Sequence, residues 1–198
     1  MGKLRVLYIT SMFGKKSSSA SIRNVALVNG LAEIGHDVKV HTISYPMEVL
    51  DNFLISKIKS TVTVEKAKVK YISAYIPSSK TDKVRLKKTR FIATIKAIIK
   101  GFYFFPDIDK KWINYKFDKN ERFDLVISSS DTKTSHFLGR NAAELYQAKW
   151  LQIWGDPWTD DISLKSKITK FRAKRHEYKL LQDSNYACFV SLLSLIHI

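Results

Sequence analysis

Three stretches of the 198-residue chain bring together residue types that can do chemistry. The first is Ser128-Ser129-Ser130-Asp131, followed closely by Thr134-Ser135-His136. Hydroxyls, a carboxylate and an imidazole within nine positions can bind a polar substrate, and an imidazole that titrates near neutrality can take a proton from it. The bland alternative is a structural helix histidine. Ser–His–Asp hydrolysis calls for a G-x-S-x-G elbow, and none is present. The second stretch is Gly155-Asp156-Pro157-Trp158. A proline restricts the residue before it to extended conformations, which aims the Asp156 carboxylate away from the chain. Trp154 and Trp158 can stack on a sugar ring or pack against a sheet edge, and the same four residues also suit an ordinary turn. The third is the polar loop 11–19, with Gly14 at its centre. Ahead of a helix, such a loop offers free amides and a positive dipole end to a phosphate or sugar hydroxyl. It contains neither G-x-G-x-x-G nor G-x-x-x-x-G-K-[ST], which argues against a nicotinamide enzyme and a P-loop NTPase. The five histidines and single cysteine show no metal-ligand spacing, so no metal site is expected.

These residues need elements to position them, and the hydropathy pattern supplies candidates. Residues 4–10 (LRVLYIT) form a continuous apolar run, the signature of a parallel strand buried on both faces. Ser19 or Ser21 is placed to cap a helix over 22–34, with Val25, Val28 and Ala32 on one stripe and Leu27, Leu31 and Ile34 on the next. Gly35 stops it, and 38–44 (VKVHTIS) reads as a second strand. Strand, helix, Gly turn and strand make a βαβ unit. Further strands are predicted over 69–76, 123–130, 150–154 and 186–190. Helices are predicted over 83–105, 109–117, 134–147 (capped by Asp131 or Thr132) and 164–182. Residues 45–68 carry no clear pattern. The fold class is therefore α/β, a doubly wound and mostly parallel Rossmann-like sheet. Each candidate stretch then falls at the carboxyl end of a strand, where open α/β sheets bind ligands.

Composition bounds the class. With 45% hydrophobic and 26% charged residues the chain is globular. One cysteine excludes an intrachain disulfide framework and suits a reducing compartment. No apolar run reaches the roughly 18 residues of a membrane span, so a cytoplasmic location is expected. The formal net charge is +16, from 34 Lys+Arg against 18 Asp+Glu. Such a field attracts nucleic acid, anionic lipid or nucleotide phosphates, and equally describes a solvated basic surface.

The pattern resembles the amino-terminal domain of glycosyltransferase family 4 enzymes, which have the two-domain GT-B architecture. The motifs that carry the resemblance run in order: an apolar first strand, then Leu31-Ala32-Glu33-Ile34-Gly35-His36-Asp37-Val38-Lys39-Val40, then Pro106-Asp107 with Trp112. Asp124 to Ser130, Thr134-Ser135-His136, Trp150-Leu151 and Asp156-Pro157-Trp158 follow, with Glu177 and Ser191 in place. The chain departs from the pattern at Ile153, where Asp is usual, and at Gly155, where Arg is usual.

The resemblance implies transfer of a glycosyl group from a nucleotide sugar to a hydroxyl acceptor, in cell-surface polysaccharide or glycolipid synthesis, without a resident cofactor. Residues 1–191 would be the acceptor-side domain. The nucleotide-sugar-binding domain is expected to be missing, and residues 192–198 (LLSLIHI) read as a non-native tail, which would leave a fragment inactive alone. His136 and Asp156 take catalytic roles in this reading, with Gly14, Ser130, Asp131 and Trp158 binding substrate. Expected partners are a nucleotide sugar and a saccharide or lipid-linked acceptor, with no nucleic acid. The basic and apolar stretch 83–105 adds a peripheral contact with an anionic membrane at the inner face. The alternatives are a basic nucleic-acid-binding domain or another Rossmann-type enzyme such as a sugar-nucleotide epimerase.

Overall fold

The computed structural model describes residues 2–69, 103, 105–130, 132–159, 164 and 166–190. Six parallel strands form one sheet in the order β3-β2-β1-β4-β5-β6, with helices on both faces. The strands are β1 (Arg5–Ile9), β2 (Asp37–Ile43), β3 (Thr63–Ala67), β4 (Leu125–Ser129), β5 (Lys149–Trp154) and β6 (Tyr186–Phe189). The helices are α1 (Ser19–Glu33), a short α2 (Asn52–Ser56), α3 (Thr134–Tyr146) and α4 (Lys167–Asp183), with a 3-10 turn at Lys110–Asn114. This is the doubly wound, Rossmann-like arrangement that the apolar runs predict.

Alternation along β1 and β4 divides the core between the faces. Val6 and Tyr8 of β1, with Val38 and Val40 of β2, meet Val25 and Val28 of α1. Leu7 and Ile9, with Val126 of β4, face the other way, toward Leu138 and Ala142 of α3 and Ala173 and Leu180 of α4. Trp112, Trp150, Trp154 and Trp158 all lie in this second cluster.

Several local expectations are corrected. The cap of α1 is Ser18, not Ser19 or Ser21: its hydroxyl accepts the Ser21 amide at 3.1 Å. Of the two apolar stripes on α1, only that of Val25 and Val28 is buried, while Ile34 is 70% exposed. The third strand is Thr63–Ala67, inside the stretch without a readable pattern, pairing with β2 from Lys39↔Thr63 to Ile43↔Ala67. Of the strand expected over 69–76 only Val69 is described, and of the helix over 83–105 only Tyr103 and Phe105. Asp131, Ser191 and residues 192–198 also lie outside the described residues. Gly35 takes φ +95° at the α1–β2 turn, as a stop requires.

Candidate functional site at the carboxyl ends of the strands

The chain winds outward from β1 through β2 to β3, and in the opposite direction from β4 through β5 to β6. The direction reverses between β1 and β4, and open α/β sheets bind ligands outside the carboxyl ends of the strands at such a point. Here Thr10 and Ser11 end β1, while Ser130 and Thr132 follow β4. The gap is closed by a hydrogen bond of 2.8 Å between the Ser11 and Thr132 hydroxyls. Asp109, 4% exposed, comes from the segment before β4 and accepts a hydrogen bond from Thr132. Burial and the neighbouring Asp107 push the Asp109 carboxyl up to about 7, against the pull of Lys15 and the Thr132 hydroxyl. A carboxyl that titrates near neutrality among buried hydroxyls has the property a proton-accepting group needs.

Asp107 has a different task. One oxygen accepts the Thr134 amide at 2.7 Å; the other accepts the Thr134 hydroxyl at 2.6 Å and the Asp109 amide at 2.9 Å. It therefore caps α3 from a distant segment. This corrects the expected cap: Lys133 is the N-cap residue and supplies no side-chain bond, and Thr132 is occupied by Ser11 and Asp109.

The three serines of β4 each tie the sheet to a different neighbour. Ser128 Oγ accepts the Trp150 Nε1 proton at 2.9 Å and lies 2.8 Å from His136 Nδ1. The hydroxyl keeps one proton to give and one lone pair to accept with, so the tautomer of His136 sets the direction of that second bond. Ser129 donates to Asn24 of α1 at 2.8 Å. Ser130 accepts the Gly155 amide at 2.9 Å and fixes the loop after β5.

His136 is fully buried, packed against Trp154 with ring centroids 4.2 Å apart. Burial, and then the Lys133 charge, hold its pKa well below the ordinary value, so it is neutral at physiological pH. Its Nε2 is a buried polar atom without a protein partner. Asp156, by contrast, is exposed. Lys133 joins the two: its ammonium donates to the Asp156 carbonyl at 2.9 Å and lies 5.1 Å from the Trp154 ring centre.

Trp158 is 2% exposed and stacks on Phe105 with centroids 5.0 Å apart. Its amide and that of Thr159 donate to the two oxygens of Glu177, at 2.9 and 3.0 Å. The ring packs in the core, the second of the two arrangements the sequence leaves open. Gly14 has φ +70°, and a Cβ there would lie 2.7 Å from Ile55 Cγ1. Its carbonyl accepts the Asp51 amide at 2.8 Å. Glycine is thus required by a turn and by close packing on α2.

Ser130 thus holds the Gly155 turn, His136 lies buried on Trp154, Asp156 meets Lys133 through its backbone carbonyl, and Trp158 lies toward α4. Asp109, with Ser11 and Thr132, was not singled out from the sequence. The available signal was a pair of acids, Asp107 and Asp109, in an otherwise basic and apolar stretch. Among the described residues no three His, Cys, Asp or Glu side chains come together so as to hold a metal ion, and no helix is long and apolar enough to cross a membrane. No protein-family model matches the chain, and no curated protein matches it.

Proposed function

We propose that the chain is the acceptor-side domain of a glycosyltransferase that uses a nucleotide sugar. The observation that carries this reading is the reversal point between β1 and β4, where hydroxyls, a carboxyl titrating near neutrality and Lys15 converge outside the strand ends. A saccharide acceptor is a polyhydroxyl whose attacking oxygen must shed a proton. Ser11 and Thr132 would exchange the buried bond between them for bonds to its hydroxyls. Asp109 suits the proton, with exposed Asp156 as a second carboxylate at the next strand end. His136, neutral and enclosed, acts through position: it holds Ser128 and Trp154, and through Trp154 the Lys133 bridge to the Asp156 loop. The ordered motifs from Leu31 to Trp158 support the same assignment. In GT-B enzymes the nucleotide sits on a second Rossmann-like domain, so this sheet is expected to bind acceptor better than donor.

The test is a titration of the isotope-labelled chain, followed by amide chemical shifts, with saccharide acceptors, UDP- and GDP-sugars, and duplex DNA at physiological salt. Shifts at Ser11, Thr132 and Lys133 on adding saccharide, weakened in Asp156→Ala, support the reading. Tight DNA binding with no response to any sugar would replace it with the nucleic-acid alternative.

A further inference from the structure

Helix α4 is the most basic element described, and its outer face has a particular composition. Every exposed position from Lys167 to Gln182 is basic, apolar, aromatic or amide-bearing, and none is acidic. Lys167, Lys170, Lys174, Arg175 and Lys179 supply the charge. Ile168, Phe171 and Tyr178 stand among them at 60%, 71% and 62% exposure. At 100° per residue Phe171 and Tyr178 fall within about 20° of each other, near the middle of the exposed arc, with lysines and Arg175 on both flanks. The helix's two acids are engaged elsewhere. Glu177 turns inward to the Trp158 and Thr159 amides, and Asp183 pairs with Arg140 at 3.2 Å.

Beside this row lies a groove of about 510 Å³ lined by Ile168, Phe171, Arg172, Arg175, His176 and Lys179. The groove's electrostatics are those of a positive surface awaiting an anion. The pKa of His176 is held below its ordinary value by burial first and then by Arg172, Arg175, Lys179 and Arg140.

We propose that the outer face of α4 is a docking surface for an anionic lipid bilayer, with Ile168 and Phe171 entering the boundary between headgroups and acyl chains and Lys174, Arg175 and Lys179 resting on lipid phosphates. The charge fits any polyanion; the apolar row selects among them. A nucleic acid would stack a base on Phe171 but gives the branched, aliphatic Ile168 beside it no π-partner. A bilayer boundary takes both, while the long lysine side chains reach back to the phosphates. The inference stands on α4 alone and holds whatever reaction the strand ends support.

The experiment measures binding of the 198-residue chain to vesicles of phosphatidylcholine, and of phosphatidylcholine mixed with phosphatidylglycerol, by sedimentation. Binding is expected only with phosphatidylglycerol, and is expected to be lost at 1 M salt, where the Debye length falls to about 3 Å. Arg175→Ala with Lys179→Ala should weaken it roughly thirtyfold, from about 1 kcal/mol for each surface cation. Phe171→Ser should weaken it roughly tenfold and keep the salt dependence. Phe171→Trp, a substitution at an exposed site, should show blue-shifted emission with phosphatidylglycerol vesicles. Equal binding to both vesicle types would overturn the proposal. So would unchanged affinity in the α4 variants, which would move the contact to another basic stretch, or retention by duplex DNA with vesicles ignored.

Discussion

Asp109 and His41 are both buried titratable side chains, and their effects on stability run in opposite directions. Burial, then Asp107, pushes the Asp109 carboxyl up to about 7. A carboxyl raised in the fold binds a proton that the unfolded chain releases near pH 4, so its contribution is complete below pH 4 and disappears as pH climbs to 7. His41 is enclosed between β2 and Trp112, whose Nε1 donates to its Nε2 at 3.1 Å. Burial lowers its pKa to about 4, with Lys39 adding to the shift and Glu65 opposing it. The unfolded chain binds that proton near pH 6.5, so the His41 contribution is complete above 6.5 and is lost toward pH 4. Asp109→Asn removes the first effect and leaves the second. Between pH 4 and pH 8 the parent should lose about 1–3 kcal/mol of stability that the variant does not lose. Thermal unfolding of both proteins at pH 4, 6 and 8 measures this, and a constant difference across the range would show that Asp109 ionises normally. The sequence puts Gly14, His136 and Asp156 at the carboxyl ends of strands because each follows an apolar run. It could not show which way His136 turns, since that depends on how closely α3 lies on β4. Nor could it show that Asp109 is buried, which depends on a segment more than 20 residues from Thr132 in the chain.

The seating of α3 is set by two contacts remote in sequence from each other. Asp107 closes its first turn by taking the amide and hydroxyl of Thr134. Gly139 lets its middle approach the sheet: a Cβ there would meet Ser128 Cβ at 2.7 Å and Trp150 Nε1 at 2.9 Å. Asp107→Ala strips the cap and leaves a buried amide and hydroxyl unpaired, at a cost of about 2–4 kcal/mol. Gly139→Ala sets two effects against each other. Alanine favours a helix by up to about 1 kcal/mol. The clash falls on a Cβ and a ring in a packed core, which cannot swing aside, and overpacking costs about 1–3 kcal/mol. The net result should be a loss, accompanied by a change in Trp150 fluorescence as its bond to Ser128 is disturbed. A stabilised variant with unaltered emission would show that α3 has room to shift. At this scale the strongly periodic elements were legible, because continuous apolar runs of β-formers followed by Gly or Pro have few other readings. The caps were not, because Ser18 competes with Ser17, Ser19 and Ser21, and because the partner of Thr134 comes from another segment. Strand β3 was hidden for a related reason. Its sequence TVEKA carries an acid and a lysine, and an edge strand with Val64 and Glu65 only half-buried needs no apolar run.

Across the whole molecule, the strand order determines which backbone bonds survive longest. β1 and β4 occupy the middle of the sheet, and β1 is sheltered on one face by α1 and on the other by α3. Four of the five residues in each are buried. At the ends, β3 buries only Ala67 and β6 buries none of its four residues, with Tyr186 at 60% exposure. Opening an edge strand breaks one ladder and exposes little apolar surface, whereas opening β1 breaks two and exposes both core clusters. Local openings span from nearly no free energy to the global value. Amide exchange should therefore rank β1 and β4 slowest, β2 and β5 next, and β3 and β6 fastest. In β1 and β4 the rates should follow global unfolding and respond to denaturant with the full slope, while β6 should exchange with almost none. The ranking bears on the strand-end site as well. Ser11, Thr132 and Asp109 hang from the two slowest strands, so ligand binding there should change exchange little in β1 and β4 and mainly in the loops that follow them. If β6 proved as protected as β1, the edge seen here would have to be covered in solution, and the sheet would extend beyond its sixth strand.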